Sequence, residues 1–194
     1  MKRLFLYGLM VTQLFACAFL APLKNETDHN ARATNKSAIL AINQWHLLGR
    51  LSVRHAKESG LTKLDWQHSE LSDELILSTS LGGVLAKLSY MDNRIIVAGS
   101  DGISHVVTEQ ELHSQIGYLP PLNHLKFWVR GFPNPEIDVQ IQQVDSSDEL
   151  SFEQDGWDVE LTRFETFSAF ELPTKVSLIK GGLKIKLVVD EWLD

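Results

Sequence analysis

The sequence predicts a mainly β domain with a few helices, its strands following one another as an antiparallel meander that curls into a sandwich or barrel. Apolar residues recur at every second position along most of the chain, and tight-turn signals separate these alternating segments. Two helix signatures are confined to the stretch between residues 108 and 133. A length of 194 residues suits one domain with short appendages, and 44% hydrophobic residues suffice for a substantial core.

The chain opens with MKRLFLYGLMVTQLFAC, in which Lys2 and Arg3 precede an apolar run from Leu4 to Ala16 broken only by Gly8, Thr12 and Gln13. The run is shorter than the ~20 apolar residues that cross a bilayer, so an export signal over residues 1–16 fits better than a permanent span. The sole cysteine, Cys17, stands at its end. A lone cysteine in an exported chain cannot form an internal disulfide, so its position needs another explanation. LFAC, Leu14 to Cys17, resembles the lipobox of bacterial lipoproteins, whose cysteine is acylated and becomes the mature N-terminus; Phe15 is bulkier than the small residue usual there. The alternative is an ordinary signal peptide cut after Ala18, because Ala16-Cys17-Ala18 also satisfies the small-x-small rule.

Residues 17–36 read as the lipidated N-terminus and a flexible tether, mostly polar and small after Leu23 and without a sustained period. As a flexible chain, Ala18 to Lys36 would span on the order of 25 Å. His29 here reads as solvated. The folded domain is expected over 37–194, beginning with a short helix in SAILAINQW capped by Ser37.

Beyond it the two-residue rhythm takes over. Leu47, Gly49, Leu51 and Val53 alternate with Leu48, Arg50, Ser52 and Arg54; Leu64 and Trp66 flank Asp65; Leu75 and Leu77 flank Ile76; Val84, Ala86, Leu88 and Tyr90 alternate with Leu85, Lys87 and Ser89. The same pattern returns at Ile137, Val139 and Ile141, at Trp157, Val159 and Leu161, and at Leu183, Ile185, Leu187 and Val189. ESG at 58–60, MDN at 91–93 and GSDG at 99–102 read as turns. Between them, Thr108 and Glu111 have capping-box spacing before a helix stopped by Gly117. A second helix starts at Pro120 and Pro121, carries Leu122, Leu125, Trp128 and Val129 on one face, and ends at Gly131 before Pro133. Its apolar face must pack on something, and the concave side of a curled sheet is available.

Charge and motif content exclude several functions. A net charge of −7, made more negative if cleavage removes Lys2 and Arg3, argues against nucleic acid, and no basic run beyond the first three residues supports an electrostatic patch for anionic lipid. No Gly-x-Ser-x-Gly elbow, His-Glu-x-x-His or phosphate-binding glycine loop occurs, so catalytic residues, a cofactor and a metal site are not expected. Of the seven histidines, His46, His55, His68 and His105 fall on strands and His113 and His124 on helices, none at helical metal-site spacing. Asp155, Asp158 and Glu160 lie at a turn and on an exposed strand face, where solvation explains them. A β-rich domain with five tryptophans and no visible chemistry is suited to binding an apolar ligand.

PLNHLKFWVRGFP at 121–133, LGG at 81–83, FEQDGWDVEL at 152–161, LPTKVSL at 172–178 and LKIKLVVDEW at 183–192 together resemble the LolB family, the outer-membrane receptors of the lipoprotein-sorting pathway. The resemblance covers roughly Ile42 to Trp192 and joins a lipobox at the correct end. It implies an antiparallel sheet bent into an unclosed half-barrel, with short helices lidding an apolar cavity. It further implies a lipid-anchored protein, acylated at Cys17, that faces the periplasm, takes lipoproteins from the carrier LolA and places them in the inner leaflet of the outer membrane. The implied partners are loaded LolA, acylated lipoprotein cargo and outer-membrane phospholipid, with the protein itself a monomer. Trp66, Leu75, Leu77, Leu125 and Trp128 become candidates to line the acyl cavity; core packing alone is the competing role for each. A soluble LolA-like carrier and a lipid-anchored hydrolase are the alternative functions.

Leu81 is the residue that a strand–turn–strand reading does not explain. One reading folds it back onto the sheet. The resemblance instead aligns it with a leucine that protrudes from a loop and delivers cargo into the membrane, with Gly82 and Gly83 letting the loop bend. Ser80 stands where the family usually has proline, which predicts a less rigid loop.

Overall fold

The computed structural model describes residues 36–56, 58–91, 94–108, 110–111, 121–146 and 148–193. The expected signal run, Cys17, His29 and the helix stop at Gly117 lie outside them. A short helix, α1, covers 36–40, so Ser37 sits inside the helix and does not cap it. Ile39 is its buried residue, packed with Phe132 and Leu172.

Six strands follow in a meander: β1 (Trp45–His55), β2 (Glu58–His68), β3 (Ser72–Ser78), β4 (Val84–Met91), β5 (Arg94–Gly99) and β6 (Ser104–Val107). After helix α2 (Leu122–Trp128) a second meander runs through β7 (Gln140–Ser146), β8 (Glu149–Gln154), β9 (Trp157–Phe167), β10 (Phe170–Lys180) and β11 (Leu183–Leu193). All pairings are antiparallel, in the order β6-β5-β4-β3-β2-β1-β11-β10-β9-β8-β7. The first and last strands therefore weld the two meanders at the centre, and β6 and β7 are left as separate edges of an unclosed sheet. Hairpins need only tight turns, but the link from one edge to the other must cross the sheet. That link carries α2 over the inner face, where Trp128 meets Phe152 and Trp157 at ring-centroid distances of 6.4 and 6.3 Å.

The expected alternation sets which side is inner. Leu47, Leu64, Trp66, Leu75, Leu88, Val159, Leu161, Ile185, Leu187 and Val189 are buried in one cluster with Leu122, Leu125, Trp128 and Val129 of the helix. Gly49 marks a bulge in the central β1–β11 pairing, where a Cβ would lie 2.5 Å from the Val188 carbonyl oxygen, so only glycine lets the two strands approach.

Three local expectations are corrected. Glu58, Ser59 and Gly60 belong to β2, and Ala56, at a φ of 51°, makes the turn instead. Ile137 and Val139 precede β7 and are exposed, because the preceding segment is held by side-chain bonds to Gln154 and not by a strand ladder. Ile141 is in β7 but is exposed on this edge strand. The capping box is as expected: Thr108 N–H donates to Glu111 Oε2 at 2.8 Å while Glu111 N–H donates to Thr108 Oγ1 at 3.1 Å.

Candidate functional site

The sheet register assembles the apolar inner face from residues far apart in sequence. Leu47, Trp66, Leu75, Leu88 and Val97 form one continuous cross-strand row, and Leu64, Leu77 and Ala86 a second beside it. Leu125 and Trp128 close over this surface from α2, so Trp66, Leu75, Leu77, Leu125 and Trp128 all share one apolar cluster. Burial is graded along β1 to β4. Trp66 and Trp128 are inaccessible, whereas Leu51, Val53, Leu77 and Ala86, nearer the β3–β4 turn, are only half-buried.

Three buried polar groups hold the lid and the floor in place. Trp66 Nε1 donates to Asp73 Oδ1 at 2.8 Å, the same oxygen that meets His68 Nδ1 at 2.7 Å, and Trp45 stacks on the histidine ring. Arg130, just beyond α2, donates to the carbonyls of Lys126, Ile39 and Ile42 at 2.8, 3.2 and 3.3 Å and lies against the rings of Trp45, Phe127 and Phe132. Burial pushes its guanidinium down to about 10, which still leaves it protonated at neutral pH. The cation thus ties α1 to the end of α2. Gln154 uses its whole amide: it accepts from Trp128 Nε1 and Asn134 N–H, both at 2.9 Å, and donates to the carbonyls of Asn134 and Ile137. Asn134 Nδ2 also donates to His124 Nδ1 at 3.2 Å, which leaves the imidazole proton on Nε2, facing Asp155 Oδ2 at 3.7 Å. None of Arg130, Asn134 and Gln154 was singled out from the sequence; the only signals were the position of Arg130 and Asn134 just past an apolar helix face and, for Gln154, the inward parity of Phe152.

The turn between β3 and β4 displays Leu81 with 97% of its surface exposed, so it is not folded back onto the sheet. Its backbone is tightly specified. Gly82 N–H donates to Thr79 O at 3.0 Å, Thr79 N–H to Gly83 O at 2.8 Å, and Gly83 N–H to Thr79 Oγ1 at 3.1 Å. Gly82, at a φ of 93°, supplies the left-handed residue that completes such a turn, whereas Gly83 has no such φ. Thr79 therefore provides the restraint that proline would have given at Ser80.

The chemistry available is that of a surface and a hydrophobic face. His46 and His68 each bond a carboxylate, Asp65 and Asp73, at 2.7 Å, and among the described residues no serine, threonine or cysteine hydrogen-bonds either ring. Ser69 and Ser72, beside His68, bond each other. An open cleft of about 480 Å³, lined by Gln44, Trp45, His46, Gln67, His68 and Glu74 among others, lies at the opposite end of β1 to β3 from Leu81. Among the described residues no group of three His, Cys, Asp or Glu side chains could hold a metal ion.

Residues 43–192 match the family described as outer membrane lipoprotein LolB. The outer-membrane lipoprotein LolB of Pseudomonas paraeruginosa is 30% identical over 98% of this chain and 95% of its own length, and that of Stutzerimonas stutzeri is 30% identical over 92% and 89%. Among solved structures, a Vibrio parahaemolyticus domain assigned to outer-membrane lipoprotein sorting shares the fold with a TM-score of 0.51 at 8% identity, covering 83% of this chain and 89% of that one. With an open eleven-stranded sheet, an apolar inner face lidded by a helix and a match over residues 43–192, the chain belongs to the LolB family of outer-membrane lipoproteins.

Proposed function

We propose that this protein receives acylated lipoproteins from the periplasmic carrier LolA on its apolar inner face and releases them, past Leu81, into the inner leaflet of the outer membrane, while a lipid on Cys17 holds it there. The graded burial of the inner face carries the reading: packed tightly beneath α2, the surface becomes half-exposed toward the β3–β4 turn, and that turn ends in a bare leucine.

The energetics fit transfer without a chemical energy source. Each methylene of an acyl chain costs ~0.8 kcal/mol to leave in water, so a lipoprotein anchor needs continuous cover while it moves. Apolar burial is non-directional, and chains can slide between two abutting apolar faces down a modest affinity difference. Leu81 has a narrower part. Burying one leucine yields about 1.5 to 3 kcal/mol, too little to hold a protein on a bilayer but enough to favour brief insertion of the turn tip.

Leu81→Glu tests this directly. The substitution touches no neighbouring side chain, so the folded protein should accept cargo from the carrier as before while transfer into the outer membrane falls sharply. Normal delivery by that variant would sink the proposal.

A further inference from the structure

Leu81 must be brought to lipid in the right orientation, and the chain's own attachment does not do this. The N-terminal segment joins the sheet through α1 at the Trp45 end of β1, whereas the turn at 79–83 lies toward the His55 end, just beyond Ser78, which stands level with Lys63 and Arg50, about 17 Å along β1 from Trp45. Something at the turn end has to face the membrane.

The outer face of the sheet supplies it. At that end, the outward positions of β11, β1 and β2 carry Lys184, Lys186, Arg50, Arg54 and Lys63, while Lys87 of β4 lies level with Asp65, toward the other end. Arg54 stands directly opposite Lys184, and Arg50 opposite Lys63. Like charges opposite one another in a sheet are destabilising, so the arrangement is one the fold tolerates and does not gain from. Arg50 and Lys87 are paired, to Asp190 and Glu74. Among the described residues Arg54, Lys63, Lys184 and Lys186 make no ion pair, and no carboxylate shares that end of the outer face of β11 to β4. The acidic residues of this face, Asp65, Glu74 and Asp190, lie toward the other end. Exposed leucines stand among the cations: Leu61 at 70% exposure, Leu85, and Leu81 at the tip.

We propose that this basic face is a docking surface for anionic phospholipid, which turns the Leu81 end of the domain onto the bilayer. Unpaired cations interleaved with apolar side chains are what a headgroup interface takes: phosphates meet Arg54, Lys63, Lys184 and Lys186 while Leu61, Leu81 and Leu85 enter the boundary. The sign of the patch opposes the net charge of −7, and the outward carboxylates at the same level, Asp158 and Glu160 of β9, lie two strands beyond Lys184 and Lys186. The inference rests on the delivery reading above and names its lipid partner.

Vesicle flotation tests it, using the mature chain from residue 17 with Cys17→Ala, so that neither the export signal nor an anchor contributes. Binding should be stronger to phosphatidylcholine vesicles containing phosphatidylglycerol than to phosphatidylcholine alone, and should weaken as salt is raised. In the same background Arg54→Gln, Lys63→Gln and Lys184→Gln together should weaken binding to the anionic vesicles about fivefold per side chain, on the order of a hundredfold in all. The three side chains are exposed, so circular dichroism should show an unchanged fold; if it does not, the Lys63→Gln and Lys184→Gln single variants carry the same test at about fivefold each. No preference for anionic vesicles, or undiminished binding by the variants, overturns the docking face. So would loss of carrier exchange with vesicle binding intact, which would assign the patch to an acidic protein. Delivery by Leu81→Glu separates the two proposals, since normal delivery sinks the transfer reading whatever the vesicles show.

Discussion

Gln154 shows how much of the lid depends on single polar side chains. At 1% exposure it satisfies Trp128, Asn134 and Ile137 together, and so fixes both α2 and the segment leading to β7. Gln154→Leu would leave the buried Trp128 Nε1–H and Asn134 N–H donors without an acceptor, each at about 1 to 3 kcal/mol, whereas the Asn134 carbonyl keeps the Ile137 N–H at 3.4 Å and the Ile137 carbonyl is only part-buried. A loss of about 3 kcal/mol in urea denaturation, with the slope of the transition unchanged, is expected. A loss below about 1 kcal/mol would mean that water takes over its bonds. Gln154 continues the inward parity of Phe152, yet a polar residue just before Asp155 and Gly156 reads as a strand end meeting solvent. Its partners Trp128 and Asn134 lie 26 and 20 residues away, beyond any local pattern. Arg130 was hidden for the same reason, since its acceptors on α1 are 91 and 88 residues distant.

For an element, what matters is whether its geometry is specified locally, and the β3–β4 turn is. Three hydrogen bonds to Thr79 and the positive φ of Gly82 define it. Thr79→Val removes the acceptor for Gly83 N–H while keeping the shape. Amide exchange at Gly83 should accelerate, with global stability falling by less than about 1 kcal/mol, because the group it frees is exposed. Unchanged exchange would show that the glycine backbone alone holds the tip. The rigidity expected from proline was looked for at Ser80, but here a hydroxyl one position earlier provides it. Elements with a local signature were legible. The alternation located β1, β2, β3, β4, β9 and β11, and the apolar face located α2. The pattern misled at Ile137 and Val139, where alternation without a strand partner on the outer side gives an exposed segment.

At the level of the whole molecule, the N-terminal segment enters the sheet at one end, and Leu81 with the unpaired cations lies toward the other. On the proposed function, in which the lipid on Cys17 is the anchor, Cys17→Ala should release the protein into the soluble periplasmic fraction. Continued sedimentation of that variant with outer membranes would refute the anchor. The sequence by itself determined the things that depend on neighbours along the chain: alternating strands, the apolar stripe of α2, a lone cysteine closing an apolar run, and a leucine set among turn residues. The tertiary structure alone decided which face of the sheet is inner, because that follows from the link crossing from edge to edge. It also decided where the cations gather. No basic run exists in the sequence, and none is needed: antiparallel register sets Arg54 opposite Lys184, 130 residues later, and Arg50 opposite Lys63. Charge acts through space, so a patch dispersed over three strands is invisible until the strands are paired.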